Sequence, residues 1–144
     1  MAAPTYIWEY VTNLFGLGPP SVVCLEATTD LMVKVGTLCV MASGQVDEAT
    51  ADVLLPIGLA AEVIDVAAVA KDPVKIYALR PGDVIKGTAD ADASALSGFS
   101  GKTMDLNTDG SLDVADTAGG CLSVYRTEDA GLTVFCVLSK LAAF

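Results

Sequence analysis

The chain has 144 residues, 18 acidic and 8 basic, with a net charge of -10 and no histidine. That length suits one ordinary domain with a real core. The charge balance, with no basic run, argues against direct nucleic-acid binding. The missing histidine removes Ser-His and Cys-His nucleophile pairs and the usual zinc or copper ligand. Hydrophobic residues make up 53% of the chain, and mean hydropathy is +0.55. No stretch is long enough to span a bilayer; the best, residues 57–70, is interrupted by Glu62 and Asp65. No basic residue precedes an apolar run at the N-terminus, so no secretory signal is expected. So apolar a single domain is expected to bury surface against other subunits.

Residues 1–20 form an N-terminal aromatic arm in this reading, and residues 21–144 a β-rich domain. The arm holds four of the nine aromatics. Ile7, Val11 and Leu14 share helical spacing with Tyr10, which predicts a short amphipathic helix ended by Gly16, Gly18, Pro19 and Pro20. About ten residues make a marginal helix alone in water. The arm therefore needs a surface, either its own domain or a neighbour, and docking on a neighbour is the favoured expectation. Tyr6, Ile7, Trp8, Tyr10, Val11, Leu14 and Phe15 are the candidate partner-binding residues.

From Ser21 onward the pattern is β. Val-, Ile- and Leu-rich runs occupy 21–27, 31–42, 58–70, 72–79, 83–89, 102–106, 111–115, 121–127 and 132–138. Val74, Ile76 and Ala78 alternate with polar neighbours, as do Leu132, Val134 and Cys136. Residues 67–70 are read as strand, with helix as the alternative. Turn signals stand at 42–44, 80–83, 108–110, 118–120 and 128–131, and one helical turn is expected at 91–96. The fold class expected is all-β and mainly antiparallel. It would be a single compact sandwich or barrel-like, β-tulip-type domain with at most short helices.

Four cysteines, Cys24, Cys39, Cys121 and Cys136, all lie among apolar neighbours and form no CxxC pair, so they read as small core residues. The stretch DLNTDGSLDVAD, residues 105–116, has two readings. As a calcium loop it offers Asp105, Asn107, Asp109, Asp113 and Asp116, with Gly110 at the sharp bend. As a hairpin it turns at Asp109-Gly110, with Met104, Leu106, Leu112 and Val114 on the inner face. The hairpin is favoured, because glycines at 98, 101, 119 and 120 break the helices that a calcium loop needs on either side. Asp90 and Asp92 read as solvated loop carboxylates. Ser94, Ser97 and Ser100 have no histidine partner, and Lys34, Lys71, Lys75 and Lys86 are scattered. No catalytic set and no cofactor site is expected, so the chain reads as a non-enzyme.

Residues 73–138 carry an apolar strand, a Pro-Gly-Asp turn at 81–83, a strand running into Gly87, a small-residue stretch, GKTMDLNTDGSLDV, and two closing strands, CLSVYRT and LTVFCVL. This half of the chain resembles capsid decoration, or cement, proteins of tailed bacteriophages. The resemblance implies a β-rich domain that binds the outer face of an assembled head and stabilises contacts between major capsid subunits. It also implies a homo-oligomer, commonly a trimer, placed on the virion surface after synthesis in the host cytoplasm. No membrane and no nucleic-acid partner is expected. The alternative is another non-enzymatic phage structural or ligand-binding β-module, a tail or host-surface component with a weak calcium site.

Overall fold

The computed structural model describes residues 3–49 and 56–139. Among the described residues, nine strands build two antiparallel sheets. In chain order they are β1 (Glu9–Asn13), β2 (Val22–Glu26), β3 (Leu38–Ala42), β4 (Gln45–Glu48), β5 (Pro56–Ala60), β6 (Pro73–Ala78), β7 (Asp83–Thr88), β8 (Leu122–Glu128) and β9 (Thr133–Leu138). One sheet has four strands in the order β1-β7-β9-β8. The other has five, β2-β6-β5-β3-β4. The class is all-β, an open sandwich and not a closed barrel. The five-stranded sheet curls until Ala27 meets Val46, but that contact is a single bridge.

The strands follow from alternation and turn chemistry. On β6, Val74 and Ile76 point into a core while Lys75 and Tyr77 are exposed. Ser43 and Gly44 both take positive φ (51° and 80°), the two-residue geometry that matches strand twist, and join β3 to β4. Asp129, Ala130 and Gly131, at φ 51°, 56° and 85°, turn β8 into β9. A 3-10 turn at Ser94–Leu96 realises the helical turn expected there.

Two separate cores result. The first lies between the sheets and includes Trp8, Leu38, Leu59, Ile85, Val124 and Cys136, closed at one end by Met104, Leu106 and Leu112. The second fills the opposite face of the five-stranded sheet, around Val33, Cys39, Val46, Ile57 and Ile76. A bulge in the β3–β5 pairing, which skips Ile57, turns that residue into the second core while Leu59 serves the first.

Several expectations change. The predicted N-terminal helix is strand β1, paired antiparallel with β7 from Glu9↔Lys86 to Asn13↔Asp83. Trp8 supplies the reason: its ring enters the first core, and an extended backbone delivers it there. Residues 31–37 and 61–70 are loops, not strands. Asp30 and Gly36 at φ 67° and 93° break the extension. The two loops bond each other, Val33 with Ile64 and Asp30 N–H with Ala68 C=O, and together they roof the second core. Residues 67–70 are not helical either. Strand β4 gave no apolar signal, because it carries Gln45, Asp47 and Glu48. Cys24 is exposed, unlike the other three cysteines. Burial pushes the thiols of Cys39 and Cys136 well above the ordinary range.

The hairpin at 105–116 is reduced to its minimum. Leu106 and Leu112 form one antiparallel bridge, framed by Asn107 N–H to Ser111 C=O and Asp113 N–H to Asp105 C=O. Leu112 also bridges Ala89, and Met104 bridges Leu122, so this loop is knitted into the sandwich end and is not a free ribbon.

Candidate functional site

The N-terminal segment is held in place by glycines. Trp8 is 1% exposed, and its indole lies where a Cβ on Gly87 would overlap the ring. Its Nε1 donates to the Gly110 carbonyl at 2.9 Å, and its backbone N–H donates to Gly36 C=O at 2.8 Å. Tyr6 N–H donates to Asp109 C=O at 2.8 Å. Gly110 sits at φ 91°, and a Cβ there would strike the Tyr6 carbonyl. The DG turn therefore serves as the seat of the N-terminal segment.

A polar clamp fixes the far end of β1. Asn13 Nδ2 donates to Asp83 Oδ1 at 2.8 Å, and Asn13 Oδ1 accepts from Phe15 N–H at 2.8 Å. Arg80 Nη2 pairs with Asp83 Oδ1 at 3.0 Å and also donates to Gly18 C=O. This pairing raises the Arg80 guanidinium above its ordinary value. Phe15 lies over Gly82, which has φ 82° and no room for a side chain. The Pro-Gly-Asp turn at 81–83 thus holds residues 13–18.

With the segment fixed, its other side chains face outward. Tyr6, Ile7, Val11 and Leu14 are exposed, and Phe15 is 73% exposed. Tyr10 is half-buried. Of the seven candidate residues, Trp8 is used up by its own core and the rest stay at the surface or partly so. Val22, Val35 and Tyr77 join this face, although they were not singled out from sequence. A groove of about 310 Å³ runs between β1 and β6, lined by Trp8, Tyr10, Pro20, Val35, Leu59 and Tyr77, with the Glu9 carboxylate as its one charged side chain. Residues 10–25 contain no charged side chain, in a chain of net charge -10. Alternation marks Val22 and Tyr77 as strand residues; their exposure depends on the four-stranded sheet covering only part of its partner.

The calcium candidates do not converge. Asp109 Oδ1 accepts from Ser111 N–H (3.0 Å) and Ser111 Oγ (2.6 Å), and those bonds hold its carboxyl below the usual range. Asp113 Oδ1 accepts from Ala115 N–H at 3.2 Å. Asn107 Nδ2 donates to Asp90 Oδ2 and Ser111 Oγ. Asp105 is buried and Asp116 is exposed. Asp92, Asp109 and Asp113 each accept a backbone N–H two residues on, the local turn bond usual for aspartate in loops. Among the described residues, no three or more cysteine or carboxylate side chains lie close enough to hold a metal ion. No described helix is long and apolar enough to cross a membrane.

A further exposed pair escaped the sequence reading. Phe99 takes φ 56°, costly for a bulky residue, and its ring lies 5.5 Å from that of Tyr125. The backbone N–H groups of Gly98 and Phe99 donate to Tyr125 and Val124 C=O on the outer edge of β8.

Compared with known proteins, the chain matches no family model. A search of curated proteins likewise finds no match.

Proposed function

We propose that the chain is a non-enzymatic structural protein that binds an assembled lattice through apolar surface. In its most concrete form it is a capsid decoration protein that attaches to the outer face of a phage head and bridges major capsid subunits. The resemblance over residues 73–138 gives the reading its content. The observation that carries it is the uncharged face of residues 10–25, an exposed apolar row held rigid by Trp8, Asn13 and Arg80. A solvated surface gains nothing from such a row. A contact surface does, since burying one large apolar side chain is worth roughly 1.5–3 kcal/mol. Many weak copies acting on one shell add up.

The test is cosedimentation of the purified protein with undecorated heads. Phe15→Asp and Leu14→Asp alter exposed side chains and leave the core intact. They should cut occupancy at least tenfold while the circular dichroism spectrum stays unchanged. Full occupancy with both variants would refute the role of this face. Failure of the wild type to bind any head would refute the decoration reading.

A further inference from the structure

The groove between β1 and β6 is blocked at both ends. At one end Trp8 N–H donates to Gly36 C=O and Gly36 N–H donates to Ala60 C=O, which ties β1 to β5. Gly36 lies at φ 93°, and a Cβ there would strike the Trp8 carbonyl, so glycine is what lets the two approach. At the other end Pro19 and Pro20 carry the chain across from β1 to β2 and form part of the wall. An extended peptide cannot run through such a slot. Its volume of about 310 Å³ is larger than any one side chain and stands at the lower end of the range for small-molecule sites.

The lining selects the chemistry of an occupant. Tyr10, Tyr77, Pro19, Pro20, Val35 and Leu59 make apolar and aromatic walls. Glu9 is the one charged residue of the lining; it is exposed and belongs to neither ion pair of the described residues. In register Glu9 lies opposite Lys86, but the Lys86 ammonium stands over the Phe135 ring, 5.7 Å from its centre. Arg80 does not line the groove, and its guanidinium is engaged with Asp83 and Gly18 C=O. An uncompensated carboxylate therefore stands beside tyrosines, in a chain of net charge -10. Anions are repelled from such a place, while a cation gains both from the carboxylate and from the faces of aromatic rings. The apolar walls take a hydrocarbon body.

We propose that this slot is a binding site for a small organic cation, an ammonium or quaternary ammonium head on an apolar body. The head sits beside Glu9, and the body lies against Tyr10, Tyr77 and Pro20. Every residue of the site comes from one chain, so the site does not depend on lattice binding.

The experiment is a titration of the full chain with three probes matched in size: benzyltrimethylammonium, neutral N-benzylacetamide and anionic 3-phenylpropanoate. Trp8 is the only tryptophan and lines the groove, so its fluorescence reports occupancy. Calorimetry gives the stoichiometry, expected to be one per chain. The cation should bind saturably with a dissociation constant below about 1 mM. It should bind roughly tenfold more tightly than the amide, and the anion should not bind. Glu9→Gln should weaken the cation roughly fivefold and leave the amide unchanged. Tyr77→Ala should weaken both. Both variants alter side chains that reach solvent, so their circular dichroism spectra should match the wild type. Absence of saturable binding by the cation would overturn the proposal. So would an amide or anion that binds as tightly as the cation, or a variant of Glu9 or Tyr77 that binds the cation as the wild type does.

Discussion

Glu48 shows most directly what a single side chain does to this fold. It is buried on β4, and its Oε2 has no hydrogen-bond partner among the described residues. Burial, helped by a hydrogen bond with Asp47, pushes its carboxyl up to about 7. A carboxyl raised in the folded state binds its proton more tightly there than in the unfolded chain. Its favourable contribution is complete below pH 4.5 and is lost as pH rises through about 7. Glu48→Gln should therefore stabilise the protein at pH 8 by on the order of 2 kcal/mol and change little at pH 4.5. Urea midpoints at the two pH values check this, and equal shifts at both would refute it. The burial of Glu48 was not legible in sequence, where an acidic residue near a turn reads as solvated. Trp8 was legible as an anchor but not for its target. An indole needs a deep seat and a partner for its N–H, and nothing local shows that Gly36, Gly87 and Gly110 supply them from three distant places.

At the scale of elements, alternation was a sound guide where one face is buried, as on β6; on β9 it broke down, because Leu132 is exposed and Phe135 is buried along with Val134 and Cys136. It also failed in two other ways. The apolar residues at 7, 11 and 14 fit a helical period, yet they face solvent, while the residues that hold the segment are Trp8 and Asn13. The runs at 31–37 and 61–70 are as apolar as strands because they cover a core, although their backbones are irregular. The 105–116 loop was read correctly as turning at Gly110, while its full strands shrank to one bridge. Asp109 and Asp113 are engaged with Ser111 and Ala115, and the Asn107 amide with Asp90, so a chelator should leave the melting temperature unchanged, and millimolar calcium should do the same. A rise in the melt with calcium, reversed by chelator, would show that the aspartates rearrange around an ion.

At the scale of the molecule, sequence gave the all-β class and the near-absence of helix. It could not order the strands, because sheet partners such as β1 and β7 lie some seventy residues apart. Nor could it show that the N-terminal segment, expected as an appendage, completes the four-stranded sheet and its core. Removing it strips an edge strand and empties the space filled by the Trp8 ring, a loss of about 3–5 kcal/mol for the ring alone. That is a large part of the stability of an ordinary domain. Deletion of residues 1–18 should therefore yield a chain without cooperative thermal unfolding, measured by calorimetry. A truncated protein that melts as sharply as the whole would show that the segment is dispensable to the fold.

The hydrogen bond from the Trp8 indole to the Gly110 carbonyl joins residues 102 positions apart in the chain. During synthesis the ring leaves the ribosome long before its acceptor exists, and β9, the neighbour of β7, emerges later still. Until then a large aromatic and an uncharged stretch stand unprotected in the cell. Closure over such distances is slow, so nascent chains spend that interval prone to sticking together, and chaperone supply or lower growth temperature should govern the soluble yield.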